Sequence, residues 1–262
     1  MDNKISASPS PDKSGRPAAA AMLAIGDELL SGRTKDKNIA YMADELTKIG
    51  IDLREVRIVA DDEADIIAAV NALRARYDYV FTSGGIGPTH DDITAESIAK
   101  AFNLPCIFDA RAEKILLDYY KSMNSEMTEG RRLMTRMPEG AQLIANSVSG
   151  APGFIVENCF IMAGVPQIFQ AMVQAILPHL KKSAPMQSVT IACSFGESRI
   201  AAGLAAIQKA FPQTSIGSYP QMQDDKGRKW AVSIVIRSRE AEARELAAEA
   251  VKKMLDDLRA NS

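Results

Sequence analysis

Tyr79-Val80-Phe81-Thr82-Ser83-Gly84-Gly85-Ile86-Gly87-Pro88-Thr89-His90-Asp91-Asp92 decides how the chain folds. Tyr79 to Thr82 is a short apolar run that meets a turn at once, the pattern of a strand buried on both faces. Gly84, Gly85 and Gly87 remove side chains, so main-chain N–H groups in this loop can approach an anion closely. A helix starts near Thr94, the expected N-cap, with Glu96 in its first turn, and ends near Phe102. The exposed N–H groups and positive dipole end of such a helix favour a phosphate.

Upstream, Ala18 to Ile25 reads as another buried strand, ended by Gly26. From Asn38 to Ile49 the apolar residues Ile39, Met42, Ala43, Leu46 and Ile49 fall on one helical face, and Gly50 closes the helix. Ile51 to Val59 is a strand. Asp61 and Asp62 can cap a helix running to about Arg76, with Ile66, Ile67, Val70 and Leu73 inward. The alternation β-α-β-α-β-loop-α predicts a three-layer α/β domain, a mostly parallel sheet with helices on both faces.

Downstream, more helix is expected between Asp109 and Met134, and short strands over 142–145, 153–156 and 159–163, two of them as a hairpin. Gly164-Val165-Pro166 opens a helix to about Leu180, with Pro178 bending or ending it. Lys181 to Pro185 is a linker. Strands over 189–193, 214–219 and 230–236 and helices over 197–211 and 240–258 then make a small α+β domain, the last helix facing inward through Leu246, Ala247, Ala250, Val251, Met254 and Leu258. The expected organisation is a disordered tail over 1–17, the larger domain over 18–182 and the small one over 183–262.

The 262 residues are 47% hydrophobic and 24% charged, an ordinary globular balance. With 31 basic and 33 acidic residues the net charge is −2, so there is no electrostatic case for nucleic acid or membrane as a partner. No apolar run reaches the roughly 18 residues that span a bilayer. Met1 to Arg16 has neither an apolar segment nor the acid-poor composition of a transit peptide. Cys106, Cys159 and Cys193 are odd in number and far apart, with only His90 and His179 to join them. That argues against structural zinc and disulfides and for a reducing, cytoplasmic setting.

Ligands of open α/β sheets bind at the carboxyl ends of the strands. Three segments fall at or near that edge: Gly26-Asp27-Glu28-Leu29-Leu30-Ser31-Gly32 continuing to Asp36 and Asn38, the Ser83–Asp92 loop, and Asn146 to Phe154. Carboxylates beside a phosphate repel it unless a cation lies between them, so Asp27, Asp91 and Asp92, with Asp36 as helper, are candidate ligands of magnesium, manganese or cobalt. Asp27 and Asp92 are the catalytic candidates. Ser83, Gly84, Gly85, Gly87, Thr94 and Asn38 form the phosphate- or nucleotide-binding set, and Glu28, His90, Glu96 and Gly153 are further candidates. The same aspartates fit a plainer role as turn caps. Tyr119 and Tyr120 fit either stacking on a ligand ring or packing, and the Met123, Met127, Met134 and Met137 group fits packing. Dinucleotide-fingerprint, P-loop and Gly-x-Ser-x-Gly motifs are absent from the sequence.

These residues also carry a family resemblance. Gly26-Asp27-Glu28-Leu29-Leu30-x-Gly32, Asp36-x-Asn38, and Ser83 through Thr94 resemble the molybdopterin-binding fold family, closest to the N-terminal domain of the competence-damage-inducible CinA proteins. Ala151-Pro152-Gly153-Phe154 and Gly164-Val165-Pro166 resemble two later motifs, so the likeness covers about residues 19–180. It implies a metal-dependent pyrophosphatase that cleaves ADP-ribose or FAD and releases AMP. Alternatively it implies molybdopterin binding or adenylylation in molybdenum cofactor biosynthesis, or a binding module without catalysis. It further implies a homo-oligomer, dimer or trimer, with a nucleotide or pterin as ligand. Ala163 stands where the family pattern has Pro. The chain to Ser262 leaves no room for the amidase domain of long CinA forms, so that activity is not expected. The small domain resembles a KH fold but has no Gly-x-x-Gly after Pro185, so RNA binding is not carried over.

Overall fold

The structure, a computed structural model, describes residues 16–221 and 231–260. The first fifteen residues of the expected tail and Trp230 of the expected strand lie outside the described residues. Arg16, placed in that tail by the sequence, is anchored instead: its guanidinium pairs with both carboxylate oxygens of Asp78 at 3.0 Å. The same carboxylate accepts the Ala19 N–H at 2.7 Å, which fixes the start of the first strand.

The chain divides into two units, Met1–Ser183 and Ala184–Ser262. In the first, the order is β1 (Ala19–Ile25), α1 (Asp27–Leu30), α2 (Asn38–Lys48), β2 (Asp52–Val59), α3 (Glu63–Arg76), β3 (Tyr79–Ser83) and α4 (Thr94–Ala101). It continues through β4 (Cys106–Phe108), α5 (Ala110–Ser122), α6 (Glu129–Leu133), β5 (Arg136–Pro138), β6 (Gln142–Ile144), β7 (Gly153–Val156), β8 (Cys159–Met162) and α7 (Pro166–Ile176). A 3-10 turn, Leu177–His179, ends α7 at Pro178, which cannot donate the next helical hydrogen bond.

Six strands form one sheet in the order β2-β1-β3-β8-β7-β6. β1, β2, β3 and β8 run parallel, and β7 is antiparallel to β8 and to β6. Alternation along β1 builds both faces: Ala21, Leu23 and Ile25 meet Ile66, Val70 and Leu73 of α3, whereas Ala20 and Met22 meet Met42 and Leu46 of α2. β3 and β8 divide the same way, with Val80 and Ile161 on the α3 side and Phe81 and Phe160 on the α2 side. Strands buried on both faces must be apolar at every position, which is why these runs stand out in the sequence. On α3 the buried stripe is Ile66, Ala69, Val70 and Leu73; Ile67 is half-buried. The β4–β5 pair is a separate two-stranded sheet that no periodic signal announced; three residues per strand are too few.

The second unit has β9 (Gln187–Cys193), α8 (Glu197–Ala210), β10 (Ser215–Gln221), β11 (Ala231–Ser238) and α9 (Ala241–Ala260), with an antiparallel sheet β10-β11-β9. Val232, Ile234 and Ile236 of β11 meet Ile200 and Leu204 of α8 and Ala247, Val251 and Leu255 of α9 in one core. Leu246, expected on the inner face of α9, is 47% exposed, because the stripe runs Ala243, Ala247, Val251, Leu255 at four-residue steps. No helix among the described residues is long and apolar enough to cross a membrane.

Candidate functional site

From β1 the chain passes through α2 to β2 on one side, then through α3 to β3 on the other. The sheet order therefore reverses between β1 and β3, and a crevice opens outside their carboxyl ends. A cleft of about 460 Å³ occupies this position. Its walls come from Gly26 and Glu28 after β1, Asp61 after β2, residues 84–88 and Asp91–Asp92 after β3, Asn146, Ser149 and Ala151, and the start of α7.

The loop after β3 requires its glycines. Gly84 has φ +118°, and a Cβ there would collide with the Ile25 carbonyl oxygen. Gly85 has φ +69°, and a Cβ would strike the Thr94 hydroxyl. The loop is tied from behind. Thr94 donates its N–H to Gly85 O at 3.0 Å and its hydroxyl to Gly84 O at 3.1 Å. Thr94 is thus not the N-cap, which is Ile93; it is the first helical residue, fully buried, and its hydroxyl faces the loop. Asn38 donates its amide to Ser83 Oγ at 2.7 Å and to Gly164 O at 2.8 Å. Asn38 and Ser83 are buried behind the cleft rather than lining it.

The acids separate into those that face the cleft and those engaged elsewhere. Asp91 and Asp92 line it, as does Glu28. Asp92 Oδ2 accepts the Thr89 N–H at 2.8 Å and the Thr89 hydroxyl at 2.5 Å, which folds the loop tip around the carboxylate. Asp27 is exposed and its side chain is not among the cleft's walls. Its N–H donates to Asp61 Oδ2 at 3.0 Å. Asp36 caps α2, accepting the N–H groups of Asn38 at 3.2 Å and Ile39 at 2.9 Å. Glu96 pairs with Arg136, and His90 points into solvent beside Asp91. Gly153 begins β7 beside its sheet neighbour β8, where a Cβ would lie 2.5 Å from Ile161 O.

Sequence reasoning passed over two residues. Asp61 reads from the sequence only as a cap, a role that Asp62 fills by accepting the Asp65 N–H. Burial raises the Asp61 carboxyl above the usual aspartate range; the Asp27 N–H opposes this, and the charges of Asp27, Glu28 and Asp91 add to it. Its place directly after a parallel strand was the available signal. Arg136 donates to the Asp92 carbonyl at 3.2 Å while holding Glu96. It sits on β5, which left no trace in the sequence pattern. Met134, read as packing, also lines the cleft. Tyr119 is not among the walls of this cleft; it packs over Gly150 and donates its hydroxyl to Val148 O at 3.2 Å. Tyr120 lies under the Arg131 guanidinium at 3.9 Å.

Residues 21–182 match the family model described as "Probable molybdopterin binding domain". The chain belongs to this molybdopterin-binding family. Residues 185–261 match a second model, the middle domain of FAD synthase. A protein of Archaeoglobus fulgidus is 34% identical over 76% of this chain and 85% of its own length. A CinA-like protein of Desulfosudis oleivorans is 35% identical over 62% of this chain, which spans 40% of that relative. The crystal structure of CinA from Thermoplasma acidophilum superposes with a TM-score of 0.58 at 31% identity, covering 62% of this chain and 98% of that one. The molybdopterin-binding unit is thus CinA-like in sequence and in fold.

Proposed function

We propose that the cleft binds the phosphates of a nucleotide derivative of the ADP-ribose or FAD type and hydrolyses its pyrophosphate bond, releasing AMP. The observation that carries this reading is a loop of main-chain groups, stripped of side chains by Gly84, Gly85 and Gly87, set among carboxylates at the β1/β3 switch. The match of the second unit to a domain of FAD synthase supports a nucleotide-bearing ligand.

Acids beside a phosphate require a cation. Among the described residues no three His, Cys, Asp or Glu side chains converge as a ready metal cage. Magnesium usually takes only one or two carboxylates and completes its shell with phosphate oxygens and water, so the spaced acids suit an ion shared with the ligand. Asp91 and Asp92, with Glu28 and Asp61 on the same cleft, would hold magnesium, manganese or cobalt. Such an ion supplies charge neutralisation and a more acidic bound water. The chain itself would contribute the N–H groups of Gly85, Ile86 and Gly87 to orient the phosphate; the Gly84 N–H is bonded to Met162 O at 3.1 Å and the start of α4 is buried behind the loop. Thr89 and Arg136 hold Asp92 in place from its side chain and its carbonyl.

The family description favours one other reading, molybdopterin binding at the same cleft. Turnover separates them. ADP-ribose, FAD and NAD, each with magnesium, manganese or cobalt, are screened for AMP by chromatography. AMP release that Asp92→Asn abolishes supports the pyrophosphatase. No release with any combination, together with tight pterin binding, replaces it with the second reading.

A further inference from the structure

Besides its acids, the cleft carries an apolar stripe. Val165, Ile168 and Met172 stand at spacings of three and four along the α7 segment, so they share one helix face. All three line the cleft, grading from buried Met172 through half-buried Ile168 to Val165, which is 56% exposed. Met134 joins them from the segment between α6 and β5. The stripe begins beside the glycine loop: a Cβ on Gly164 would lie 3.3 Å from the Gly84 Cα. Met172 anchors the stripe in the core, while Val165 and the half-buried Ile168 and Met134 keep apolar surface in water inside a concave site, which marks a surface that a ligand covers.

The polar side chains nearby offer little for reading a ring's edge. Asn146 donates its amide to Ser149 Oγ at 2.7 Å and to Ala151 O at 2.8 Å, and its Oδ1 accepts the N–H groups of Val148 and Ser149 at 3.0 and 3.2 Å. Both donors and both acceptor positions of the amide are therefore used within the loop. Ser149 retains its hydroxyl proton and one acceptor lone pair, a single adaptable hydroxyl that can turn to suit either base. Adenine and guanine differ in the donors and acceptors on their edges, while their faces are alike in size and apolar character.

We propose that the α7 stripe receives the flat face of a purine while the glycine loop holds the phosphates, so that the base is taken by shape and adenine and guanine bind alike. This rests on the phosphate-binding reading of the cleft. A site built on hydrogen bonds to the ring edge would discriminate strongly between the two bases; an apolar wall does not.

Equilibrium binding tests this without requiring turnover. The full chain with calcium, an oxygen-seeking ion used in place of those screened for turnover and checked to release no AMP or GMP, is titrated calorimetrically with inorganic pyrophosphate, ADP-glucose and GDP-glucose. The two nucleotide sugars are expected to bind within about tenfold of each other, and both about tenfold or more tighter than pyrophosphate. Val165→Ser weakens both equally, by about tenfold, without altering pyrophosphate binding. Serine is a favoured residue at this N-cap position, so the helix is kept. Ser149→Ala leaves the ratio of the two bases unchanged. Discrimination of about a hundredfold or more between the bases overturns the inference, as does an unaltered affinity in Val165→Ser. If pyrophosphate binds and the nucleotides bind no tighter, the ring-binding wall falls while the phosphate site stands. If pyrophosphate does not bind either, the phosphate reading itself falls.

Discussion

Two loops flank the cleft and use their polar groups in opposite ways. In residues 83–94 the contacts that fix the glycine stretch lie behind it, Asn38 on Ser83 and Thr94 on Gly84 and Gly85, and only the loop tip is held from the cleft side, by Asp92 on Thr89. The cleft side is left to main chain and carboxylates. In residues 146–152 the polar groups close on themselves, through the Asn146 amide and the Tyr119 hydroxyl on Val148. Both loops are held firmly, but one presents charge and the other presents little beyond shape. Rigidity alone therefore does not identify the chemically active side; the direction in which hydrogen-bonding capacity is spent does.

The comparison breaks most sharply at Asp92. Asp92→Asn keeps an oxygen that accepts from Thr89, so Tm is expected to change by no more than about 2 °C. Removing the charge is expected to lower AMP release on the order of a hundredfold or more, measured at saturating substrate and metal. Equal activity in the variant would leave the charged face of this loop without a function.

The next effect is on stability. Gly84→Ala places a methyl against the Ile25 carbonyl at a positive φ and is expected to cost about 3 kcal/mol in urea unfolding. Gly140→Ala, also at a positive φ of +80° but with open space around it, is expected to cost about 1 kcal/mol. Similar values at the two sites would mean that the loop yields rather than being held.

A smaller effect is expected on the opposite loop. Asn146→Ala strands the Val148 and Ser149 N–H groups and should cost about 2 kcal/mol. Hydrogen exchange should quicken at those two amides and stay unchanged at Thr89. Exchange that quickens at both loops would show that the two are coupled.

The smallest effect is a pH dependence. The folded-state pKa of Asp61 is raised, chiefly by burial, so its contribution to stability is present below the ordinary aspartate value of 3.8 and is lost as pH rises through the higher folded value. Asp61→Asn removes that loss. The variant should gain on the wild type as pH climbs above 3.8 and then level off, in unfolding curves across that range. A parallel pair of curves would mean that Asp61 is fully hydrated.

Much of the first unit was legible because its signals are local. The run Ala18 to Ile25, the helical stripe from Ile39 to Leu46 and the glycines after Tyr79–Ser83 each state their conformation within a few residues. The β4–β5 pair and α6 were not legible, since three to five residues carry no period. At the site, the glycine loop and the pair Asp91–Asp92 were read from sequence and line the cleft. Asp27, Asp36 and Glu96 share its motifs, yet their side chains are turned aside or engaged in caps and pairs. Asp61 and Met134 entered only through the fold.

Local signals in the chain are enough to read an α/β unit with a glycine loop between a buried strand and a helix, followed by a second α+β unit. Apolar period, turn residues and glycine's freedom at positive φ act over a handful of neighbours, so they survive the loss of all tertiary information. The strand order β2-β1-β3-β8-β7-β6, the crevice at the β1/β3 switch and the choice of carboxylates that look into it arise from long-range packing instead. Those depend on partners far along the chain, such as Asn38 on Ser83 across 45 residues and Arg136 on Asp92 across 44. A side chain's direction is set by whichever distant group satisfies it, and no local pattern records that group.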